Sequence, residues 1–173
     1  MKQRKKALLP LLLFCLLLLP LTASCSLEKR NSLFYQEGEL TVSGRYVKNG
    51  TEYSVTVEKA ANGSGEVLYH SPETLSGMRF ACSESGVTML FCGLSLPLGA
   101  IEHDAAILLS LFSLSEEHLG SLTAQNGEIE MRFDGVRVTL DSENGLPLAF
   151  ESRRGGREIV FYVESLEQSA PEA

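Results

Sequence analysis

Tryptophan is absent from this 173-residue chain, proline occurs six times and cysteine four times. Four cysteines are too few for a disulfide-dense miniature scaffold. Basic residues are scarce and unevenly placed. Four of the 15, Lys2, Arg4, Lys5 and Lys6, fall within the first 24 residues, which hold none of the 22 acids. The remaining 149 residues therefore carry 11 basic against 22 acidic side chains, a formal charge of −11. That balance excludes nucleic acid as a partner, because a polyphosphate requires a basic surface that releases its counterions.

Catalytic signatures are missing as well. The chain has no His-Glu-x-x-His, no Cys-x-x-Cys, no Walker loop and no dinucleotide glycine fingerprint. Gly93-Leu94-Ser95-Leu96-Pro97 falls short of a nucleophile elbow, since its last glycine is a proline and no α/β sheet follows to aim the serine. Glu102-His103-Asp104 diverge by ~100° each on a helix and cannot easily converge on one ion with His118. They read as a solvated helix start, and His70-Ser71-Pro72-Glu73 reads as a turn. No enzyme, cofactor or metal is expected.

What is present begins with the basic residues 2–6, followed by an apolar run from Ala7 to Leu21 interrupted by Pro10 and Pro20. The run is shorter than the ~20 residues that span a bilayer, and it reads as a signal peptide over 1–24. It ends Leu21-Thr22-Ala23-Ser24-Cys25. This segment resembles the lipobox of bacterial lipoproteins, although Thr22 stands where leucine is more usual. The resemblance implies cleavage before Cys25, lipidation of its thiol, and residence on the extracytoplasmic side of a membrane in a bacterial cell envelope. Residues 25–33 are then a tether, 34–166 a folded domain and 167–173 a disordered tail.

Glycine-bearing turns set the strand registers. Asn49-Gly50 calls for a two-residue hairpin with positive φ at both central positions, pairing Tyr46 with Tyr53, Gly44 with Val55 and Val42 with Val57. The large members share one face, and Thr41, Ser43, Arg45, Glu52, Ser54 and Thr56 take the other. A one-residue slip would destroy that separation. Asp134-Gly135 pairs Met131 with Val138 and Ile129 with Leu140. Gly155-Gly156 pairs Phe150 with Phe161 and Leu148 with Val163, and the 141–147 loop sets Leu140 opposite Leu148. Earlier, Met78, Phe80 and Cys82 face Phe91, Met89 and Val87. Cys82 and Cys92 then sit five residues apart along their ladder, on the order of 16 Å, beyond the roughly 7 Å that a disulfide allows. Both read as buried free thiols.

Between the strand groups the period changes. Ile101, Ala105, Leu108, Leu109 and Phe112 predict one helix over 100–113, and Ser115 caps a short second turn to Leu119. The expected fold is α+β and mostly β: a curved antiparallel sheet of about nine strands, an incomplete β-barrel covered by one main helix.

A signal with a lipobox, a meander, a helical insertion and a closing meander is the order of the LolA/LolB-like lipoprotein carriers and related mycobacterial lipoproteins. The stretches that look similar are Gly38-Glu39-Leu40-Thr41-Val42-Ser43-Gly44, Tyr69-His70-Ser71-Pro72-Glu73-Thr74-Leu75, and 138–147 followed by Ile159-Val160-Phe161. The resemblance covers most of 34–166 and implies a LolA-like sheet wrapped over helices around a cavity for acyl chains. Here the helix that usually precedes the first strand is missing or replaced by 26–37, and one lid helix stands for several. Other proteins of this fold serve as partners of envelope proteins.

Two readings follow. In the first, a hydrophobic ligand sits on the concave face against Val42, Tyr46, Val55, Phe80, Met89 and Phe91 from one half. Met131, Val138, Phe150 and Phe161 line it from the other half, and Leu108, Leu109 and Phe112 cover it. In the second, the same residues fill a dry core and the domain is a scaffold for an envelope protein partner, engaged through an acidic face or an open strand edge. Arg153, Arg154 and Arg157 form a cationic spot at a hairpin tip, suited to a headgroup or an acidic partner.

Overall fold

The computed structural model describes residues 33–99, 103–154 and 156–169. Two units divide the chain between Ser32 and Leu33. The first lies wholly outside the described residues, and with it the signal sequence and Cys25.

The described chain forms eleven strands and one α-helix. The first meander is β1 (Leu40–Lys48), β2 (Thr51–Lys59), β3 (Gly65–Ser71), β4 (Arg79–Ser83), β5 (Gly86–Phe91) and β6 (Leu94–Gly99). Helix α1 (Asp104–Ser110) follows, then β7 (Ser121–Gln125), β8 (Glu128–Phe133), β9 (Val136–Asp141), β10 (Pro147–Arg154) and β11 (Arg157–Gln168). All belong to one antiparallel sheet in the order β6-β5-β4-β3-β2-β1-β11-β10-β9-β8-β7. The two meanders join where β1 pairs with β11, and the sheet is curved and left open at β6 and β7.

The expected registers are observed at Tyr46/Tyr53, Val42/Val57, Met131/Val138, Phe150/Phe161 and Cys82/Val87. Asn49 and Gly50 have φ of 52° and 78°, the left-handed pair that matches the twist of the flanking strands. Val42, Tyr46, Val55 and Val57 are at most 1% exposed, so this hairpin buries most of one face, with Tyr53 half-buried at its turn end. Gly44 has no substitute in this packing. A Cβ there would lie 2.7 Å from the Phe161 ring and collide with the Tyr162 carbonyl of β11.

Four expectations are corrected. The sheet has eleven strands rather than about nine, because β6 and β7 extend it beyond Cys92-Gly93 and Asn126-Gly127, turns whose residues all have positive φ. Leu148 does not meet Leu140. Pro147 pairs there, the register shifts before Ala149, and Leu148 turns outward to 40% exposure. A proline lacks the ladder's N–H donor and is tolerated at such bulges. Met78 precedes β4, and Phe91 pairs with Leu94 instead. Finally, β11 continues to Gln168, two residues into the expected tail, where Gln168 Nε2 donates to the carbonyls of Phe34 and Glu37.

Helix α1 is shorter than the expected 100–113. It spans Asp104–Ser110, with single turns carrying hydrogen bonds on to Ser113, while residues 100–102 lie outside the described chain. Seven residues cannot sustain a helix in water. Tertiary packing holds it: Ala105, Leu108 and Leu109 are buried, and it packs on β2, β3 and β4. No helix among the described residues is long and apolar enough to cross a membrane.

Candidate functional site

The concave face of the sheet is the candidate site, and it has a filled middle and open flanks. Under the first meander, Tyr46 and Tyr53 stack at 4.6 Å between ring centroids, Tyr69 meets both edge-on, and Phe80 meets Tyr69 at 5.3 Å. Under the second, Phe112 descends from the turn after α1 onto Phe150 at 4.9 Å and Phe161 at 5.9 Å. Tyr35, in a single turn before β1, closes on Phe150 from the other side and is fully buried. Edge-to-face aromatic pairs are favoured by the ring quadrupole and fill this space efficiently.

The expected lining residues divide accordingly. Val42, Tyr46, Val55, Phe80, Leu108, Leu109, Phe112, Met131, Val138, Phe150 and Phe161 are all buried in one core cluster. Met89 and Phe91 are half-buried on β5, where the helix no longer covers the sheet. Their cross-strand partners on β6 are Leu96 and Leu94, which are 52% and 72% exposed. Direct partners in an antiparallel ladder share a face, so the apolar concave surface runs on past α1 as an open strip. On the opposite flank Leu122, 43% exposed, continues the same face beside buried Met131.

Polar groups pin the cover in place. Lys48 Nζ donates to both Asp104 carboxylate oxygens at 2.8 and 2.6 Å, and Arg157 lies 3.6 Å from the same carboxylate. His103 caps α1, its Nδ1 accepting from the Ala105 N–H at 3.1 Å, and its ring stacks on Phe80 at 4.3 Å. The expected solvated helix start is therefore an engaged one. Burial pushes the His103 pKa below its ordinary value; Asp104 opposes this, and Lys48 and Arg157 add to it. At the other end of the cover, Leu114 N–H donates to Gln36 Oε1 at 2.7 Å, and Lys59 Nζ donates to the Gln36 carbonyl at 3.0 Å.

Beneath the helix the Tyr46 and Tyr69 hydroxyls lie 3.0 Å apart in a buried hydrogen bond. Burial raises both phenols, Tyr69 to about 12. Such hydroxyls stay protonated at any ordinary pH and are structural.

The other candidates disperse. Ser95 lies on β6 opposite Leu90. His70 Nε2 bonds Thr56 Oγ1 at 2.8 Å on the outer face. No group of three His, Cys, Asp or Glu among the described residues is placed to share a metal. Arg153 pairs with Glu158, Arg154 donates to the Asp134 carbonyl, and Arg157 reaches Asp104. Both cysteines are free, but only Cys82 is buried; Cys92 is exposed in the β5–β6 turn, correcting the expectation for that residue. Sequence reasoning missed Leu94, Leu96 and Leu122, which lie on strands it did not assign, and the Lys48–Asp104 contact, which joins residues far apart in the chain.

No family model matches the sequence, and no curated protein matches it either. Similar solved structures include an uncharacterized conserved protein from Thermus thermophilus, 11% identical, with 82% of this chain and 86% of that one covered at a TM-score of 0.47. The lipoprotein LppX of Mycobacterium tuberculosis is 15% identical over 83% of this chain and 94% of its own, with a TM-score of 0.45. A LolA superfamily protein from Nitrosomonas europaea is 12% identical over 84% and 93%, with a TM-score of 0.42.

Proposed function

We propose that this protein is a non-enzymatic, lipid-anchored lipoprotein of the bacterial cell envelope, tethered through Cys25, which binds a hydrophobic molecule such as a lipid acyl chain on its concave face. The observation that carries the reading is the apolar strip beyond α1, where Met89, Phe91, Leu94 and Leu96 continue the core face into solvent. Exposed contiguous apolar surface on an acidic, otherwise well-patterned domain marks a binding site. The ring-packed middle does not have to open, because a chain laid along the strip already touches the half-buried side chains of β5. Native mass spectrometry of the protein extracted from its own membrane tests this. Copurified lipid is expected on the unaltered chain and lost on Leu96→Asp. A clean protein mass with no uptake from liposomes would overturn it.

A second reading rests on the other open edge. Strand β7 (Ser-Leu-Thr-Ala-Gln) is exposed throughout and carries neither charge nor proline, whereas β6 is blunted by Pro97 and by a register shift opposite Val87 and Thr88. An unprotected edge accepts an added strand from an envelope protein partner. Site-specific photocrosslinking from Thr123 in intact cells would give one discrete adduct if the edge is used, and none if it is not.

A further inference from the structure

The meander puts alternate turns at opposite ends of the sheet, and the two ends differ in chemistry. One end carries the turns at 60–64, 83–86, 126–127 and 141–146 together with both ends of the described chain, and it is acidic. Glu39, Glu58, Glu128, Asp141, Glu143 and Glu167 cluster there around Lys59. The opposite rim carries the turns at 49–50, 72–78, 92–93, 134–135 and 154–157, and there Lys48, Arg132, Arg137, Arg153, Arg154 and Arg157 stand among Glu52, Glu73, Asp104, Asp134 and Glu158, so its charges nearly balance. An outer-face groove of about 170 Å³ lies at this rim, with Arg132, Arg137 and Arg153 beside Glu151 among its walls.

The same rim holds the least polar hairpin of the molecule. From Ser85 to Ile101 the sequence has no charged residue. The β5–β6 tip presents Cys92 and Leu94 to solvent, Leu94 at 72% exposure, with Phe91 and Leu96 directly behind. Apolar tip and arginines thus share one end of a domain whose other end repels anions.

We propose that this rim docks on a lipid bilayer containing anionic phospholipid, with the β5–β6 tip inserted among the acyl chains and the arginines of the β8–β9 and β10–β11 tips at the phosphates. A bilayer interface rewards this combination of a shallow apolar insertion and flanking cations. Lys48 and Arg157 stay on Asp104, and the exposed ion pairs of the rim do not oppose docking. Arg153–Glu158 and Arg132–Glu130 are solvent-exposed pairs of small net worth, and a phosphate can replace the carboxylate. The inference goes beyond ligand binding on the concave face, since Arg132, Arg137 and Arg153 alternate with the buried residues of their strands and lie on the outer face.

Cys92 supplies the test, because it sits at the tip and is exposed while Cys82 is buried. The full chain, purified in detergent and labelled at Cys92 with an environment-sensitive nitrobenzoxadiazole dye, is mixed with vesicles of phosphatidylcholine containing 30% phosphatidylglycerol, using the Cys92→Ser chain as the labelling blank. The expected result is a blue-shifted emission quenched by doxyl-chain lipid. Leu94→Ser should weaken that signal about tenfold, as loss of one buried leucine predicts. The pair Arg153→Glu and Arg154→Glu should weaken it at least as much, with the residual signal less sensitive to salt. Both variants alter exposed side chains, so either can be read alone. Aqueous emission on these vesicles would overturn the proposal, as would an equal shift on pure phosphatidylcholine. A shift produced by monomeric oleate without vesicles would overturn it too, assigning the tip to the ligand strip instead.

Discussion

Lys48 at the end of β1 grips Asp104 at the start of α1, its ammonium 2.6 and 2.8 Å from the two carboxylate oxygens, with side chains only 25% and 14% exposed. The contact joins residues 56 positions apart and fixes α1 to the rim of the sheet. A partly buried pair with good geometry lies between the exposed and fully buried cases, so Lys48→Ala should cost about 1–3 kcal/mol. A double-mutant cycle with Asp104→Ala, followed by urea unfolding, checks this. Coupling near zero would show that packing alone seats the helix.

The Tyr46–Tyr69 hydroxyl pair predicts a different pattern. Either single substitution to phenylalanine strands a buried hydroxyl and should cost about 1–3 kcal/mol, while the double variant should cost less than the sum. Strict additivity in denaturation midpoints would contradict the buried bond.

His103 makes stability depend on pH. Its folded pKa is depressed mainly by burial, so between that value and the unfolded value of about 6.5 the unfolded chain binds the extra proton. Its contribution is complete above pH of about 6.5 and is lost as pH falls through the folded value. His103→Asn keeps a capping acceptor and removes the titration, so the fall in urea midpoint between pH 7 and 5 should flatten. An unchanged slope would place the titration elsewhere.

The two thiols should separate cleanly. Burial first, and Glu66 second, push Cys82 up to about 11, whereas Cys92 stands in solvent. Maleimide at pH 7 followed by mass spectrometry of peptides should modify Cys92 in the native protein and Cys82 only in denaturant. Equal rates would mean that β4 and β5 do not pack as described.

The registers were legible because turn chemistry and apolar alternation agreed independently, as at Tyr46/Tyr53 across Asn49-Gly50 and Met131/Val138 across Asp134-Gly135. Where one signal was weak, strands were missed. Asn126-Gly127 is as clear a turn as Asn49-Gly50, but Ser-Leu-Thr-Ala-Gln alternates feebly because an edge strand buries little. Cys92 has φ of 49°, a conformation that its residue type does not announce. The bulge at Leu148 depends on how Pro147 meets Leu140, which alternation alone cannot reveal. The candidate site divided in the same way. Phe150, Phe161 and Phe112 face inward in a cavity or in a solid core alike, so only the ring packing distinguished the filled middle from the open strip.

The most direct measurement is photocrosslinking with a diazirine-bearing fatty acid, mapped by peptide mass spectrometry on the unaltered protein. Adducts are predicted on the β5–β6 segment, at Met89, Phe91, Leu94 and Leu96. Adducts confined to the outer face, or none at saturating probe, would contradict a concave strip that holds an acyl chain.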